Sequence, residues 1–488
     1  MQGTSEHFDV VIVGAGLSGI AAAAALKASH PGRSFVMLDM RERLGGTWDL
    51  FRYPGVRSDS DMFTLGYGFK PWTEEKSIAS GASILAYLEE TVGDLDLAPH
   101  LRLRREVVAA EWSSAASAWR LDIDGPDGPE SVTCAFLYMA AGYYDYEKGH
   151  QPDFPGIEQF RGMVVHPQHW PEDLDCASRR VAVIGSGATA ITLVPALAGV
   201  ASHVTMVQRS PSYVAIDSDV DDEALRLRDE LGEAEAFVEV RLRNLREQQA
   251  RYHLARTDPE GFKKPLFDAI EEIVGRECRE AHFTPAYEPW DQRLCLVPNG
   301  DLFHAIRDGG ASVVTGRIDT FTETGLRMES GEEVEADVVV TATGLRLATL
   351  GKVRLTVDGE RVDIGQTFTY KGIAFSGVPN LIVAFGYLNS SWTLRIELVN
   401  AFWTSLLRRM DELGAARVVP TPRPEDDGMA RRPWIADVSS GYLLRHMDSF
   451  PAQGDRAPWL NPQVHEETKE LLTADPEDGV LQFSGVRP

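Results

Sequence analysis

Residues 8–39 read FDVVIVGAGLSGIAAAAALKASHPGRSFVMLD. Phe8–Val13, interrupted only at Asp9, is a short apolar run, the pattern of a parallel strand buried on both faces. Gly14-x-Gly16-x-x-Gly19 follows, then the alanine-rich run Ile20–Leu26, a strong helix former. Ser34–Asp39 predicts the next strand, so the stretch is one βαβ unit. Gly14 then permits the tight turn, Gly16 lets backbone approach a pyrophosphate, and Gly19 lets helix and strand pack closely. The helix N-terminus turns free N–H groups and a positive dipole end toward the phosphates. With 43 glycines in 488 residues, the spacing alone arises about 0.3 times by chance. The flanking strand and helix give it weight, as does Asp39 at the end of the second strand. There Asp39 can accept hydrogen bonds from ribose hydroxyls.

The pattern recurs about 170 residues on. Arg180–Ile184 predicts a strand, Gly185-Ser186-Gly187-Ala188-Thr189-Ala190 a turn opening a helix, and His203–Val207 the next strand. This second strand ends in Gln208-Arg209-Ser210. A neutral glutamine stands where the ribose-reading acid would be. Arg209 and Ser210 offer a cation and a hydroxyl to a 2′-phosphate, which favours NADP over NAD. Two dinucleotide sites in one chain suggest that one cofactor reduces the other, and a bound flavin with an exchanging NADPH is the simplest pair. A disulfide reductase would need a CxxC or CxxxxC dithiol. Cys134, Cys176, Cys278 and Cys295 supply neither, so electrons should leave the flavin for oxygen or a small acceptor.

The remaining sequence extends this plan. Asp217 to about Arg279 is rich in Glu, Arg, Leu and Ala and predicts helices with solvated faces. Phe136–Gly142 (FLYMAAG) and Val338–Gly344 (VVVTATG) each read as a strand ending in a tight turn. Leu381–Gly386 adds an apolar run, and the tail is expected to complete the first domain. Val418–Pro433 reads as a surface loop. The expectation is an α/β fold: two Rossmann-like dinucleotide-binding domains, for FAD and NADP, with a helical insertion. The FAD-binding domain would span 1–147 and 345–488, the NADP-binding domain 148–216 and 286–344, and the insertion 217–285.

The charge is strongly acidic, 48 Lys and Arg against 73 Asp and Glu, a net of −25. Such a surface repels phosphate polymers and argues against nucleic acid as a partner. Hydrophobic residues at 43% and charged residues at 25% are ordinary globular values. The sequence shows no leader pattern, and glycines interrupt Val10–Leu26, so neither a secretory signal nor a transmembrane span is expected. With four scattered thiols, this predicts a cytoplasmic protein. Neither His169 nor His282 has ligand spacing, and no metal site is expected.

Two further motifs carry a resemblance. Gly45-Gly46-Thr47-Trp48, Tyr53-Pro54-Gly55 and Asp59 stand in the register [A/G]GxWxxxx[F/Y]P[G/M]xxxD. Phe160, Gly162, His166, Trp170 and Pro171 stand in the register FxGxxxHxxxW[P/D], a match expected by chance about 5 times in 100,000 such chains. On these residues the chain resembles the class B flavoprotein monooxygenases, and within them the type I Baeyer–Villiger monooxygenases. GGTWDLFRYPG, HPQHWPEDLD, DQRLCLVPNGDLF and NSSWTL look similar to the mycobacterial thioamide-activating (ethionamide) branch.

The resemblance implies a function. NADPH reduces FAD, and O₂ adds to the reduced flavin. The resulting C4a-(hydro)peroxyflavin oxygenates ketones to esters or lactones, and sulfides or thioamides to sulfoxides. Small ketones or sulfides and O₂ would be the partners. Two other readings stand beside it: an N- or S-oxygenating flavin monooxygenase without ketone activity, and a non-catalytic flavin-linked redox sensor. Trp170 argues against the first, because such relatives usually carry another aromatic there.

The resemblance also assigns residues. Arg293 would be the cation that stabilises the peroxide and its adduct, with Asp59 as its partner carboxylate. Ser18, Asp39, Thr47, Trp48, Asp49 and Leu50 would contact FAD, and Val107 its adenine through backbone. Arg57 and Ser58 would lie where flavin and nicotinamide meet. His166 and Trp170 are expected to act in the linker as hinge or packing residues. One departure is Gln292, where many relatives have a lysine that helps hold the 2′-phosphate; this leaves more of that task to Arg209 and Ser210.

Overall fold

The computed structural model describes residues 6–436, 441–474, 476 and 478–486. The two ends of the expected FAD-binding domain, 1–5 and 487–488, lie outside the described residues. The opening stretch folds as strand Glu6–Val13, helix Leu17–Ser29 and strand Phe35–Leu38. The two strands pair in parallel, from Val10 with Phe35 to Val13 with Leu38. On its other edge the first strand pairs in parallel with Gly128–Met139. Its side chains divide between two apolar layers. Val10 and Ile12 pack with Ile20 and Leu26 of the helix, while Val11 and Val13 pack with Trp112, Trp119 and Leu137. The enclosed half, Val10–Val13, must be apolar at every position, which is why the sequence there shows no alternation.

Gly128–Met139 is a branching strand. Its N-terminal part is antiparallel to Ala118–Gly125, and Leu137–Met139 pairs in parallel with Leu381–Val383. Among the described residues this sheet has nine strands and also takes in Arg354–Val357 beside Glu106–Ser113. Helix Trp392–Leu413 packs on helix Leu17–Ser29 over the same core, with Trp403 wholly buried.

The second sheet has five parallel strands in the order Ala311–Thr315, His203–Gln208, Arg180–Ile184, Val338–Thr341 and Met163–Val165. Its first helix, Ala188–Ala198, follows the second glycine-rich turn. The two sheets repeat one steric device. At Gly14 (φ +108) a Cβ would stand 2.3 Å from the Ala140 carbonyl oxygen, and at Gly185 (φ +141) it would stand 2.3 Å from the Ala342 carbonyl oxygen. Each turn thus passes directly over the end of a neighbouring strand, and no side chain fits there. A Cβ on Gly19 would reach 1.9 Å from the Gly14 carbonyl oxygen, whereas the matching Ala190 is accommodated and fully buried.

The chain crosses between the sheets twice, and the crossings pair as the antiparallel strands Tyr144–Gly149 and Leu345–Leu347. The helices of the insertion are Asp222–Leu231, Glu233–Thr257, Pro259–Val274 and Arg276–His282. Parallel strands Val214–Asp217 and Cys295–Pro298 close its base.

The structure corrects the expectation for residues near the C-terminal end of the chain. Residues 418–433 are not wholly a surface loop. Arg417–Pro420 is a strand antiparallel to Leu481–Ser484, Val418 is buried, and Asp426 is buried in an ion pair with Arg423. The partner strand lies some 60 residues on, beyond the reach of local pattern, and proline and arginine content outweighed the two valines.

Candidate active site

A cavity of about 660 Å³ opens between the two sheets and the insertion. Gly14, Gly16 and Ser18 form one end. Gly16 caps helix Leu17–Ser29 with no side-chain hydrogen bond, and the first turn holds no acid, so the helix N–H groups are left for a ligand. Asp39 stands beside them, buried. Its Oδ2 accepts from the Ala15 N–H at 2.7 Å and its Oδ1 from the Arg41 N–H at 2.9 Å. Burial pushes its pKa up, and those two N–H groups work in the opposite direction. The cavity continues past Thr47, Trp48 and Val107. A side-chain-free turn, a bare helix terminus and a buried carboxylate beside them fit the pyrophosphate and ribose of FAD.

Toward the second domain, Arg293 Nη2 lies 2.6 Å from Asp59 Oδ2. Both side chains are about one-third exposed and line the cavity. Asp59 sits on the loop after Tyr53-Pro54-Gly55, and Arg293 just before strand Cys295–Pro298. Tyr53 anchors the loop in the second domain's core, where burial pushes its phenol up to about 12. A Cβ on Gly55 (φ +77) would stand 2.7 Å from the Ala196 Cβ, so the loop presses on the helix Ala188–Ala198.

Aromatic groups wall the space between these ends. Tyr143 stacks on Trp392 at 5.4 Å and 9°, and its hydroxyl lies 2.7 Å from that of Tyr144. Trp392 Nε1 donates to Ser18 Oγ at 2.8 Å, tying this wall to the first helix. Burial raises the Tyr144 pKa, against the opposing charge of Arg293. Sequence reasoning assigned no role to Tyr143, Tyr144 or Trp392; the NSSWTL stretch that supplies Trp392 was the one available signal.

Other expected residues stand outside this cavity. The Asp49 carboxylate is buried among guanidinium groups, 2.6 Å from Arg41 and 2.9 Å from Arg52, and Leu50 is buried in the core. Arg57 pairs with Asp301 of the second domain at 2.5 Å, and Ser58 Oγ accepts from the Ala79 N–H. At the second turn, Gly187 caps its helix without a side-chain hydrogen bond, and Ser186 Oγ donates to the Ser210 carbonyl. Arg209 and Ser210 are exposed at the strand end. Gln208 is turned inward, its amide donating to the His282 carbonyl and Thr315 Oγ1.

The linker motif is structural in its contacts. Phe160 is buried, and a Cβ on Gly162 would meet the Asp337 carbonyl oxygen at 2.4 Å. His166 Nδ1 accepts from the Gln168 N–H, and its Nε2 lies 3.2 Å from the Gly344 carbonyl oxygen, bracing both crossings. Trp170 packs against the second domain's core. Among the described residues no cluster of His, Cys, Asp or Glu could hold a metal ion, and no helix is long and apolar enough to cross a membrane.

The insertion departs from expectation. Its long helix Glu233–Thr257 is not solvated on all faces: Asn244, Gln248 and Arg251 line the cavity. Gln248 Nε2 donates to Asp61 Oδ2 and Thr64 Oγ1, and its Oε1 accepts from Ser390 Oγ. Polar residues on a charged helix look alike in sequence whether they face solvent or a ligand.

Residues 12–73 match the NAD(P)-binding Rossmann-like domain family, and residues 76–223 the flavin-binding monooxygenase-like family. The chain is 46% identical to FAD-containing monooxygenase EthA of Mycobacterium tuberculosis, over 98% of both chains. It is 43% identical to the probable FAD-binding monooxygenase AlmA of Acinetobacter baylyi, over 98% of this chain and 96% of that one. The fold is similar to a steroid monooxygenase bound to NADP, with a TM-score of 0.79 at 23% identity over 98% of this chain and 99% of that one. It is also similar to cyclohexanone monooxygenase from Rhodococcus sp. Phi1 bound to NADP+, with a TM-score of 0.76 at 22% identity over 99% and 100%.

Proposed function

This chain belongs to the FAD-containing monooxygenases, and from that premise we propose that it uses NADPH and O₂ to oxygenate small ketones to esters or lactones and sulfides to sulfoxides. The observation that carries this reading is the Arg293–Asp59 ion pair, 2.6 Å long, lining the same cavity as the Gly14 turn and Asp39.

When bound and reduced by NADPH, FAD would supply the electron pair that activates O₂. The chain's own residues then set the conditions. Gly14, Gly16 and the bare helix terminus receive the pyrophosphate, and Asp39 accepts from the ribose hydroxyls. Thr47 and Trp48 hold the isoalloxazine end, while Tyr143, Tyr144 and Trp392 exclude water from it. Arg293 places a permanent positive charge where negative charge develops on oxygen. Asp59 fixes the guanidinium in one orientation and tempers its charge, so that Arg293 attracts the developing anion without being free to swing away. On the second domain, Ser186 and Gly187 receive the pyrophosphate of NADPH, and Arg209 with Ser210 its 2′-phosphate.

The test is product analysis with a cyclic-ketone and thioether panel, NADPH and ¹⁸O₂. One labelled oxygen atom in each lactone or sulfoxide is expected, the other leaving as water. NADPH consumption that yields hydrogen peroxide alone across the panel would overturn the reading.

A further inference from the structure

The insertion helix carries an amide whose orientation is fixed by its neighbours. Asn244 is 8% exposed and lines the cavity. Its Oδ1 accepts from Arg243 Nε at 2.9 Å and from Arg243 Nη2 at 2.8 Å. A guanidinium has donors and no acceptor, so the amide atom that faces it must be the oxygen. The Nδ2 amine is thereby turned the other way, and among the described residues it has no hydrogen-bond partner. Arg243 is itself held, by Asp221 at the N-cap of the preceding helix. The donor direction is therefore built in and does not wait for a ligand.

Its position relative to the reacting centre follows from the helix. Gln248 lies one turn further on the same face and is bonded to Asp61, two residues from Asp59. Asn244 thus stands in the same wall as the Arg293–Asp59 pair, roughly 6 Å along the helix from the point where that wall is tied down.

We propose that Asn244 determines specificity, donating from Nδ2 to a neutral hydrogen-bond acceptor on the substrate, an ether, carbonyl or hydroxyl oxygen away from the atom that is oxygenated. The acceptor is neutral because Arg243 and Arg251 in this lining are already paired with Asp221 and Asp217, which leaves Asp222 and Glu247 in excess to repel a carboxylate. An acceptor on the substrate would take the place of water at this donor, which has no protein partner among the described residues and lines the cavity. This inference rests on the oxygenase reading for the identity of the substrate, but the binding contact can be measured apart from turnover.

The probes are 4-(methylthio)tetrahydropyran, with a ring ether oxygen, and cyclohexyl methyl sulfide, the same shape with CH₂ in its place. Affinity is read on the oxidised, FAD-loaded protein from the change in flavin absorbance, and KM and kcat are read separately. The wild type is expected to bind the ether sulfide roughly 3–10-fold more tightly. N244D retains the size of the side chain and an oxygen for Arg243 but offers no N–H. It should lose this preference while binding cyclohexyl methyl sulfide as before, and N244A should do the same. Equal binding of the two probes by the wild type would overturn the proposal, as would a preference that survives in N244D. Failure of the oxygenase reading would show separately, as hydrogen peroxide without sulfoxide from either probe whatever their affinities.

Discussion

Arg293 and Asp59 lie 234 residues apart in the chain and 2.6 Å apart in space, one beside each domain's contribution to the cavity. Their pairing is the point at which the two dinucleotide-binding halves meet over a shared space. At one-third exposure an ion pair contributes little to stability. Its consequence is positional: each charge fixes the other where Tyr143, Tyr144 and Trp392 also line the cavity.

R293A should therefore leave flavin reduction by NADPH largely intact while product formation falls by about 10²–10³-fold, the scale for removing a fixed charge from a site of developing negative charge. Stopped-flow absorbance gives the reductive half-reaction, and chromatography of ketone and sulfide products gives the other. D59A should lower product yield with NADPH still consumed, since the guanidinium remains but is no longer held. Full ester yield in R293A would remove Arg293 from the reaction.

The matched glycines separate the two cofactors. In G14A the new methyl group meets the Ala140 carbonyl at 2.3 Å, and in G185A the Ala342 carbonyl at the same distance, each at a positive φ. The backbone must move in both, at a cost of about 2 kcal/mol or more. G14A should purify with less flavin, read from the ratio of visible to ultraviolet absorbance. G185A should retain its flavin and show a raised KM for NADPH. Equal flavin loss in the two variants would mean that the turns do not serve separate nucleotides.

Arg209 is exposed at the end of strand His203–Gln208, beside Ser210 and with Gln208 turned inward. The proposed charge-assisted contact to the 2′-phosphate predicts for R209A a KM for NADPH about 10-fold higher, with the KM for NADH unchanged. Steady-state kinetics with both nucleotides decides it, and parallel increases would reject the contact.

How much of this was legible depends on how local the determinant is. Strand Glu6–Val13 and helix Leu17–Ser29 announce themselves, because the enclosed Val10–Val13 segment must be apolar throughout and the turn that follows must be glycine. The strand Leu381–Val383 has only three residues and owes its place to pairing with Leu137–Met139, more than 240 residues away. No local pattern encodes that partner. Arg293 was found only through resemblance, since DQRL reads like any surface turn. Asn244 and Gln248 were missed because a helix rich in Arg and Glu shows no apolar stripe to mark which face is covered. Arg57, like Arg293, was assigned only through resemblance, and its pairing with Asp301 depends on how the two domains pack, which no local pattern encodes.

His166 offers a pH test of the linker. Its Nδ1 accepts from the Gln168 N–H, which requires that nitrogen to be unprotonated, and burial holds its pKa below 6.5. His150, His282 and His465 are shifted the same way, each chiefly by burial. A histidine whose folded pKa is depressed binds its proton more weakly in the folded state. The resulting penalty is absent above 6.5, grows as pH falls through 6.5, and is complete below the folded value. The carboxylates with lowered pKa values start from 4.5 or below, so their losses come at lower pH. The thermal midpoint should therefore fall between pH 7 and pH 5, before the carboxylates with lowered pKa values contribute; Asp39, raised by burial, binds its proton more tightly when folded and acts in the opposite direction. In H166N the asparagine oxygen can still accept from Gln168 but cannot take up a proton, so the fall should be shallower across that window. Calorimetry of both proteins at half-unit intervals makes the comparison, and superimposable slopes would show that His166 is not among the groups that titrate on unfolding.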